Sequence, residues 1–424
     1  MQETVAYGSV MITLGLALSQ PLLWNGFRVG PAFAGLIGLG ILLVTGVVSS
    51  TDVAAACEAL WRPSLTIISI MLTTEAARHF GIFTHFARRL EPTGGQSVAY
   101  VFASVFALSA VTSATLNNDA AVLLLTPLVI TLVRRSYPKR PDLLIPFAFA
   151  VFSAAGVAPL IISNPMNLVV AEYMTISFND YAVRMIPIAT VGWFVTFFLL
   201  RIFFSRELRV NSTPECWRNL QYARLRQHSK QFLALMLISL GAYPVLSSIG
   251  GAVWVVATLS AILAVLLCWL HRMATPVQLA AGLSWEILIF LFCVLVIVFG
   301  LRNVGLVERI ATLYQSVSDP AGQMVLIGLL STLGSAVLNN HPMAILNMLA
   351  IGDLPEHTQR HVLAALIGGD LGPRLLPIGS LAGLLWLDSL RRLGVHVSLS
   401  KFILLGLSLT VPTLALSLVV LIIF

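Results

Sequence analysis

Apolar runs of about twenty residues succeed one another along most of the chain, parted by short polar breaks, and each is long enough for a helix to cross a bilayer's hydrocarbon core. The pattern predicts spans near 5–23, 31–50, 64–80, 142–171 and 181–204, then near 231–249, 252–270, 285–301, 360–388 and 401–424. Two further runs, 97–134 and 322–350, are each interrupted by an Asn-Asn pair. Each has the length of a helical hairpin that enters and leaves by the same side. The expected fold is an all-α polytopic membrane protein with about ten transmembrane helices, two re-entrant hairpins and two broken helices.

The interruptions repeat. Ser113-Ala-Thr-Leu-Asn117-Asn118 returns as Ser335-Ala-Val-Leu-Asn339-Asn340, 222 residues later. Trp61 matches Trp285, and the run from Arg78 to Phe83 matches that from Arg302 to Val307, both at an offset of 224. Ile162-Ser163-Asn164 meets Ile378-Gly379-Ser380 at 216. Ordered matches at nearly constant offset, each at a polar break, point to a duplication. The halves are 1–204 and 231–424, joined by a basic linker at 205–230. Five crossings per half is an odd number, so the second half should stand inverted relative to the first.

Composition agrees with a lipid solvent: 58% of residues are hydrophobic and only 10% charged, with a mean hydropathy of +0.92, against roughly 25% charged in soluble domains. The net charge of +7 comes with no compact basic motif interleaved with aromatics, so no nucleic-acid partner is expected. Loop charge explains it instead. With the linker (Arg206, Arg209, Arg218, Arg224, Arg226, Lys230) on the cytoplasmic side, nineteen of the 25 basic residues fall inside. Only Arg62, Arg184, Arg302, Arg309 and Arg360 fall outside, and Arg374 lies within the membrane. Both termini are then expected on the outer side. The first run follows MQETV, which carries no Lys or Arg, and is expected as a retained span.

Four polar breaks are expected to converge near the bilayer midplane. Two are the hairpin tips, Asn117-Asn118-Asp119 and Asn339-Asn340-His341. The others interrupt long helices: Ser163-Asn164-Pro165-Met166-Asn167, and Gly368-Gly369-Asp370 through Pro377-Ile378-Gly379-Ser380. Pro165, Pro373 and Pro377 lack the N–H that a regular helix needs, and a broken helix offers free backbone groups to a small polar solute. Asp119, Asp370 and Arg374 stand in apolar sequence, where an unpaired charge costs about 2.5–3.5 kcal/mol or more. Desolvation favours the protonated form of a carboxyl, so Asp119 and Asp370 are proton-carrier candidates. Asp370 could alternatively pair with Arg374 and simply hold the broken helix. Glu75 and Glu172 are expected at span ends, where snorkelling keeps them wet.

Several chemistries are excluded or weak. There is no Walker A motif, no HExxH and no GxSxG. Gly368-Gly369-Asp370 approaches the GxGD of intramembrane aspartyl proteases, but Ile367 stands where its first glycine should be. An enzyme is not expected, nor a cofactor or bound metal. The cysteines Cys57 (expected in a loop), Cys216, Cys268 and Cys293 are isolated, which argues against a disulfide framework, a zinc site or thiolate capture of a metalloid.

At its motifs the chain resembles the ArsB-type arsenite efflux permeases of the ion transporter superfamily. The resembling stretches are NNDAAVLLLTPLVI (117–130), SNPMNLV (163–169), LNNHPMAIL (338–346) and GGDLGPRLLPIGSLAGLLWL (368–387), in order across essentially the whole chain. His341 stands where the family commonly has Met. The resemblance implies a bacterial inner-membrane carrier of two inverted repeats that moves arsenite or antimonite out of the cell. Such a carrier acts alone as a proton antiporter or with a soluble cytoplasmic ATPase. Asn117, Asn118, Ser163, Asn164, Asn167, Asn339, Asn340, Gly379 and Ser380 match its substrate-region motifs, and Asp119 and Asp370 its acidic positions. Arsenous acid is an uncharged trihydroxy solute near neutral pH, suited to a cage of amides and hydroxyls. The alternatives are a sodium–proton antiporter or a sodium-coupled anion carrier of the same superfamily, and the membrane subunit of an ATPase-driven pump. A dicarboxylate carrier would be expected to show Asn-Thr after the serine at both breaks, which Ser163-Asn164-Pro165 and Ser380-Leu381 do not.

Overall fold

Capping side chains and prolines decide where each helix begins and stops. The computed structural model describes residues 2–19, 29–90, 97–209 and 227–424, and all secondary structure among them is helical. Helices α1 (Gln2–Ser19), α2 (Pro31–Val44), α3 (Ser50–His79) and α4 (Ile82–Arg89) come first. The pair α5 (Val98–Thr115) and α6 (Asn118–Ser136) follows, joined through Leu116 and Asn117. Next come α7 (Leu144–Ala154), a 3-10 turn at Ile161–Ser163, α8 (Pro165–Tyr173), α9 (Phe178–Phe203) and α10 (Ser205–Arg209).

The rest of the described chain is helical as well. It holds α11 (Gln227–Ser248), α12 (Val253–Leu270), α13 (Pro276–Ala281), α14 (Trp285–Asn303) and α15 (Leu306–Gln315). The second pair is α16 (Pro320–Leu338) and α17 (Asn340–Gly352). Then come α18 (Gln359–Leu371), 3-10 turns at Gly372–Arg374 and Pro377–Gly379, α19 (Leu381–Arg392) and α20 (Leu399–Ile423).

Eight of the described helices have the length and apolarity to cross a membrane: α3, α5, α9, α11, α12, α14, α16 and α20. The chain is a multi-pass membrane protein. The runs at 142–171 and 360–388, expected as broken helices, are each cut at a proline-containing break. Helix α2 has 14 residues, about 21 Å at 1.5 Å per residue. One boundary moved substantially. The span expected from residue 64 begins at Ser50, because Ser49 and Asp52 form a capping box, the Asp52 carboxylate accepting the Ser49 N–H at 2.8 Å. Cys57 therefore lies on α3 and not in a loop. Most of the expected linker, 210–226 with Cys216, Arg218, Arg224 and Arg226, lies outside the described residues, as does Arg28.

Two pairs of positions share their local geometry. Gly81 and Gly305 both take left-handed backbone, φ 70 and φ 83, at the N-caps of the short helices α4 and α15. Asn164 and Ser380 both cap a helix directly after a 3-10 turn, with φ −145 and −151.

The two parts of the chain pack through one another. Helix α6 lies against α19, with the Arg134 guanidinium donating to the Leu393 carbonyl, and α17 lies against α8. Trp386 of α19 is fully buried and stacks on Phe152 of α7, ring centroids 4.6 Å apart. The tightest seam joins α16 to α18. Gly368 and Gly372 stand one helical turn apart and face Gly328, Ser331, Thr332 and Ser335, so the backbones touch. In lipid, where hydrophobicity gives helices no reason to associate, such small-residue contact is a principal source of packing energy. A Cβ on Gly368 would come within 2.3 Å of the Gly328 carbonyl oxygen. Gly368→Ala is accordingly expected to destabilise the fold by about 1–3 kcal/mol, read as a lower melting temperature in detergent. Gly40→Ala, inside α2 where a Cβ meets nothing within 4 Å, should not destabilise it and is expected to add up to about 1 kcal/mol.

Candidate functional site

The interior polar groups are built from helix ends. At the first tip, Asn117 is extended (φ −176) and its Oδ1 accepts the Asp119 N–H at 2.8 Å, starting α6. That cap turns Asn118 inward, where its Oδ1 accepts from the Ser113 hydroxyl and its amide donates to the Gly156 carbonyl at 3.4 Å. The second tip repeats the cap, with Asn339 Oδ1 accepting the His341 N–H at 3.3 Å. Its backbone differs: Asn339 sits at φ 77, ψ 149, a region almost restricted to glycine and worth about 1–3 kcal/mol of strain. His341 is buried, and its Nδ1 lies 2.9 Å from Asn340 Oδ1.

The broken helices bring their own groups. Asn164 caps α8, its Oδ1 accepting from the Met166 N–H at 3.2 Å, while its amide donates to Asp370 Oδ1 at 2.8 Å. Asp370 Oδ2 also accepts from the Ala158 N–H at 2.9 Å and the Asn167 amide at 3.1 Å. Three N–H donors therefore converge on one carboxylate at the end of α18. Behind it, Asn167 also donates to the Tyr181 hydroxyl at 2.7 Å, which donates to the Ala158 carbonyl at 3.0 Å.

The alternative of a direct Asp370–Arg374 ion pair is not what forms. Arg374 turns away, its Nη1 donating to Thr196 Oγ1 at 3.2 Å and its Nη2 to the Ser153 carbonyl. Gly156 makes room for it, since a Cβ there would collide with the guanidinium. The two charges of this break are neighbours with separate partners.

Residues from all four breaks line one small cavity of about 30 Å³: Asn118 and Asp119, Asn164, Asn340, and Asp370, Arg374 and Ser380, closed by apolar groups such as Phe152. A single water needs about 10–15 Å³ measured this way, so the space suits a solute a little larger than water. Asp119 stands apart within it. Its carboxylate has no hydrogen-bond or ion-pair partner among the described residues, and it is not fully buried by protein.

Five of the expected site residues do not line this cavity. Asn117 and Asn339 are spent on capping. Asn167 holds Asp370 from behind. Ser163 donates to the Ala114 carbonyl at 2.6 Å, tying the first broken helix to the first tip. Gly379 is a packing glycine, its Cβ position 2.8 Å from Pro373 Cα and 3.0 Å from the Ser335 carbonyl oxygen. Expected as span-end residues, Glu75 and Glu172 bridge to Arg78 and to Arg62, the latter at 3.3 Å. Tyr181 and Thr196 carry no signal in the sequence beyond a hydroxyl inside an apolar run, and Ser153, which contributes its backbone carbonyl, carries none.

A small cavity lined by charged and amide side chains from helix ends, inside a multi-span apolar bundle, is the arrangement of a polytopic membrane transporter. The family model described as ArsB, arsenical pump membrane protein, matches residues 8–424, and the chain belongs to that family, one of transporters rather than enzymes. The chain is 27% identical over 417 residues to the arsenical pump membrane protein of Yersinia enterocolitica, covering 96% of each. To one from Escherichia coli it is 26% identical over 409 residues, covering 93% of each. Among solved structures it is similar in fold to the YdaH transporter of Alcanivorax borkumensis, with a TM-score of 0.59 at 16% identity over 98% of this chain and 96% of that one. It is likewise similar to Neisseria gonorrhoeae MtrF, with a TM-score of 0.60 at 11% identity over 100% and 95%. Bacterial relatives and the multi-span fold together place the chain in an inner membrane.

The Tyr181 relay yields a stability prediction. Tyr181→Phe leaves the Ala158 carbonyl and the Asn167 amide each short of a partner. It is expected to cost about 1–3 kcal/mol of unfolding free energy, measurable as a lower melting temperature of the purified protein.

Proposed function

We propose that this protein exports arsenite and antimonite, as their neutral trihydroxy species, from the cytoplasm in exchange for protons. The observation that carries this reading is the small cavity faced by an unpartnered carboxylate, Asp119, and by Asn118, Asn164, Asn340 and Ser380, in a chain of the arsenical pump family. Amides and a hydroxyl can donate to and accept from each oxygen of the solute without a counter-ion. Asp119 carries the proton. Asp370, already held by three donors, is the anchor of the site.

The halves, 1–204 and 231–424, are inverted copies joined by a cytoplasmic linker at 205–230, with both termini on the outer side. The matched caps at Asn117 and Asn339, the left-handed Gly81 and Gly305, and the paired breaks at Asn164 and Ser380 support this. Transport proceeds by an elevator-like motion in which the two helix pairs and two broken helices move as a unit against the remaining spans.

The test is arsenite flux into proteoliposomes under an imposed pH gradient. Wild-type flux should follow the gradient and stop with a protonophore. Asp119→Asn should retain arsenite binding but reduce gradient-driven flux to background. Flux indifferent to the gradient, or unchanged in Asp119→Asn, would refute proton exchange through this residue. Flux appearing only with an added soluble ATPase would replace it with the pump-subunit reading.

A further inference from the structure

Helix α4 reads IFTHFARR: Ile82, Phe83 and Ala87 are buried, whereas Arg88 and Arg89 are exposed. Left-handed Gly81 turns the chain so that this amphipathic helix starts immediately beyond α3. It lies at the end of the bundle where α3 stops, α11 starts and α12 stops. There the Ser229 hydroxyl donates to the Phe80 carbonyl at 2.9 Å, Phe80 stacks on Phe232 at 4.6 Å, and the His228 and His271 rings are 4.1 Å apart. Arg88, Arg89, Lys230 and Arg272 are exposed at this end. None of them has a carboxylate partner among the described residues.

Against α4 lies a cleft of about 260 Å³ between α3, α5 and α11, far from the polar cavity in character. Its wall on α11 runs from Leu233 to Tyr243, about 15 Å of helix. Phe83, Phe86 and Leu116 close other sides, and the mouth opens between Val111 and Leu237, 60% and 61% exposed. The hydroxyls along it do not make it polar. Thr73, Thr112, Thr115 and Ser239 each donate to a carbonyl one turn back in their own helix, at 2.8–2.9 Å. An apolar cavity of about 150 Å³ stays dry and takes up hydrocarbon. This one is larger and opens among lipid-facing side chains, where acyl chains are the hydrocarbon at hand.

We propose that the cleft binds an anionic glycerophospholipid, one acyl chain lying between α11 and the α5–α6 pair and the headgroup phosphate meeting Arg88 and Arg89. A free phosphate would use the cations and leave the cleft; a zwitterionic lipid would fill the cleft with no net charge to offer the cations. Basic residues at the membrane surface above an interhelical pocket are the arrangement that selects anionic headgroups. Leu116, which lines the cleft, immediately precedes Asn117, so the bound chain touches the first tip.

The experiment uses the full-length protein in detergent, with phosphatidylglycerol, phosphatidylcholine or inorganic phosphate added. Melting temperature and lipid retained in native mass spectrometry are read. Phosphatidylglycerol should raise the melting temperature more than phosphatidylcholine, and phosphate should do nothing. The double variant Arg88→Gln/Arg89→Gln, altered only at exposed positions, should bind phosphatidylglycerol roughly thirtyfold more weakly. Leu237→Trp, which fills the mouth, should weaken retention of both lipids. Equal shifts with the two lipids, a full effect from phosphate alone, or undiminished phosphatidylglycerol binding by the double variant would each overturn the proposal.

Discussion

The interior of this protein is held at Asp370. A broken helix inside a membrane leaves backbone N–H and C=O groups that water cannot reach, and these must be satisfied by protein. The Asp370 carboxylate takes the Ala158 N–H from the gap between α7 and α8, and the Asn164 and Asn167 amides from the start of α8. One side chain at the end of α18 thus fastens the first break to the second across more than 200 residues of sequence. Tyr181 and Thr196 of α9 complete the joint, the first by bonding Asn167 and Ala158, the second by drawing Arg374 aside. The small cavity exists because these groups satisfy one another around it and leave Asp119 facing the space.

Much of this was legible in the sequence, for physical reasons. A hydrophobic run long enough to cross lipid is a strong signal, and the polar interruptions at 117–119, 163–167, 339–341 and 368–380 stood out against it. Residues from all four do meet at one cavity. Spacing could not tell which of two adjacent asparagines caps a helix and which faces the cavity. Asn117 and Asn118 look alike in sequence, yet one starts α6 and the other turns inward. Nor could the i, i+4 spacing of Asp370 and Arg374 reveal their separate partners, because those come from Ala158, Ser153 and Thr196, far away in the chain. The extra length of α3 is hidden for the opposite reason: a local capping box at Ser49 outweighs the polar residues that follow it.

The two tips are not equivalent. The first tip carries Asp119 in the first turn of α6, after an extended Asn117, whereas the second carries His341 bonded to its neighbour Asn340. The apolar cleft beside Leu116 has a counterpart of similar size beside Leu338, lined by α1 and α14. The first of these spaces has cations at the nearby end of the bundle, on α4. The two tips, alike in sequence, therefore carry different chemistry.

The backbone at Asn339 adds a difference of another kind. Its conformation, at φ 77 and ψ 149, holds about 1–3 kcal/mol that an extended asparagine does not. Energy of that size is a factor of roughly five to a hundred and fifty in the balance between two arrangements. The tip without the carboxylate is therefore the one under mechanical preload. Any rearrangement that lets Asn339 relax begins with that advantage, whereas Asn117 has nothing to release.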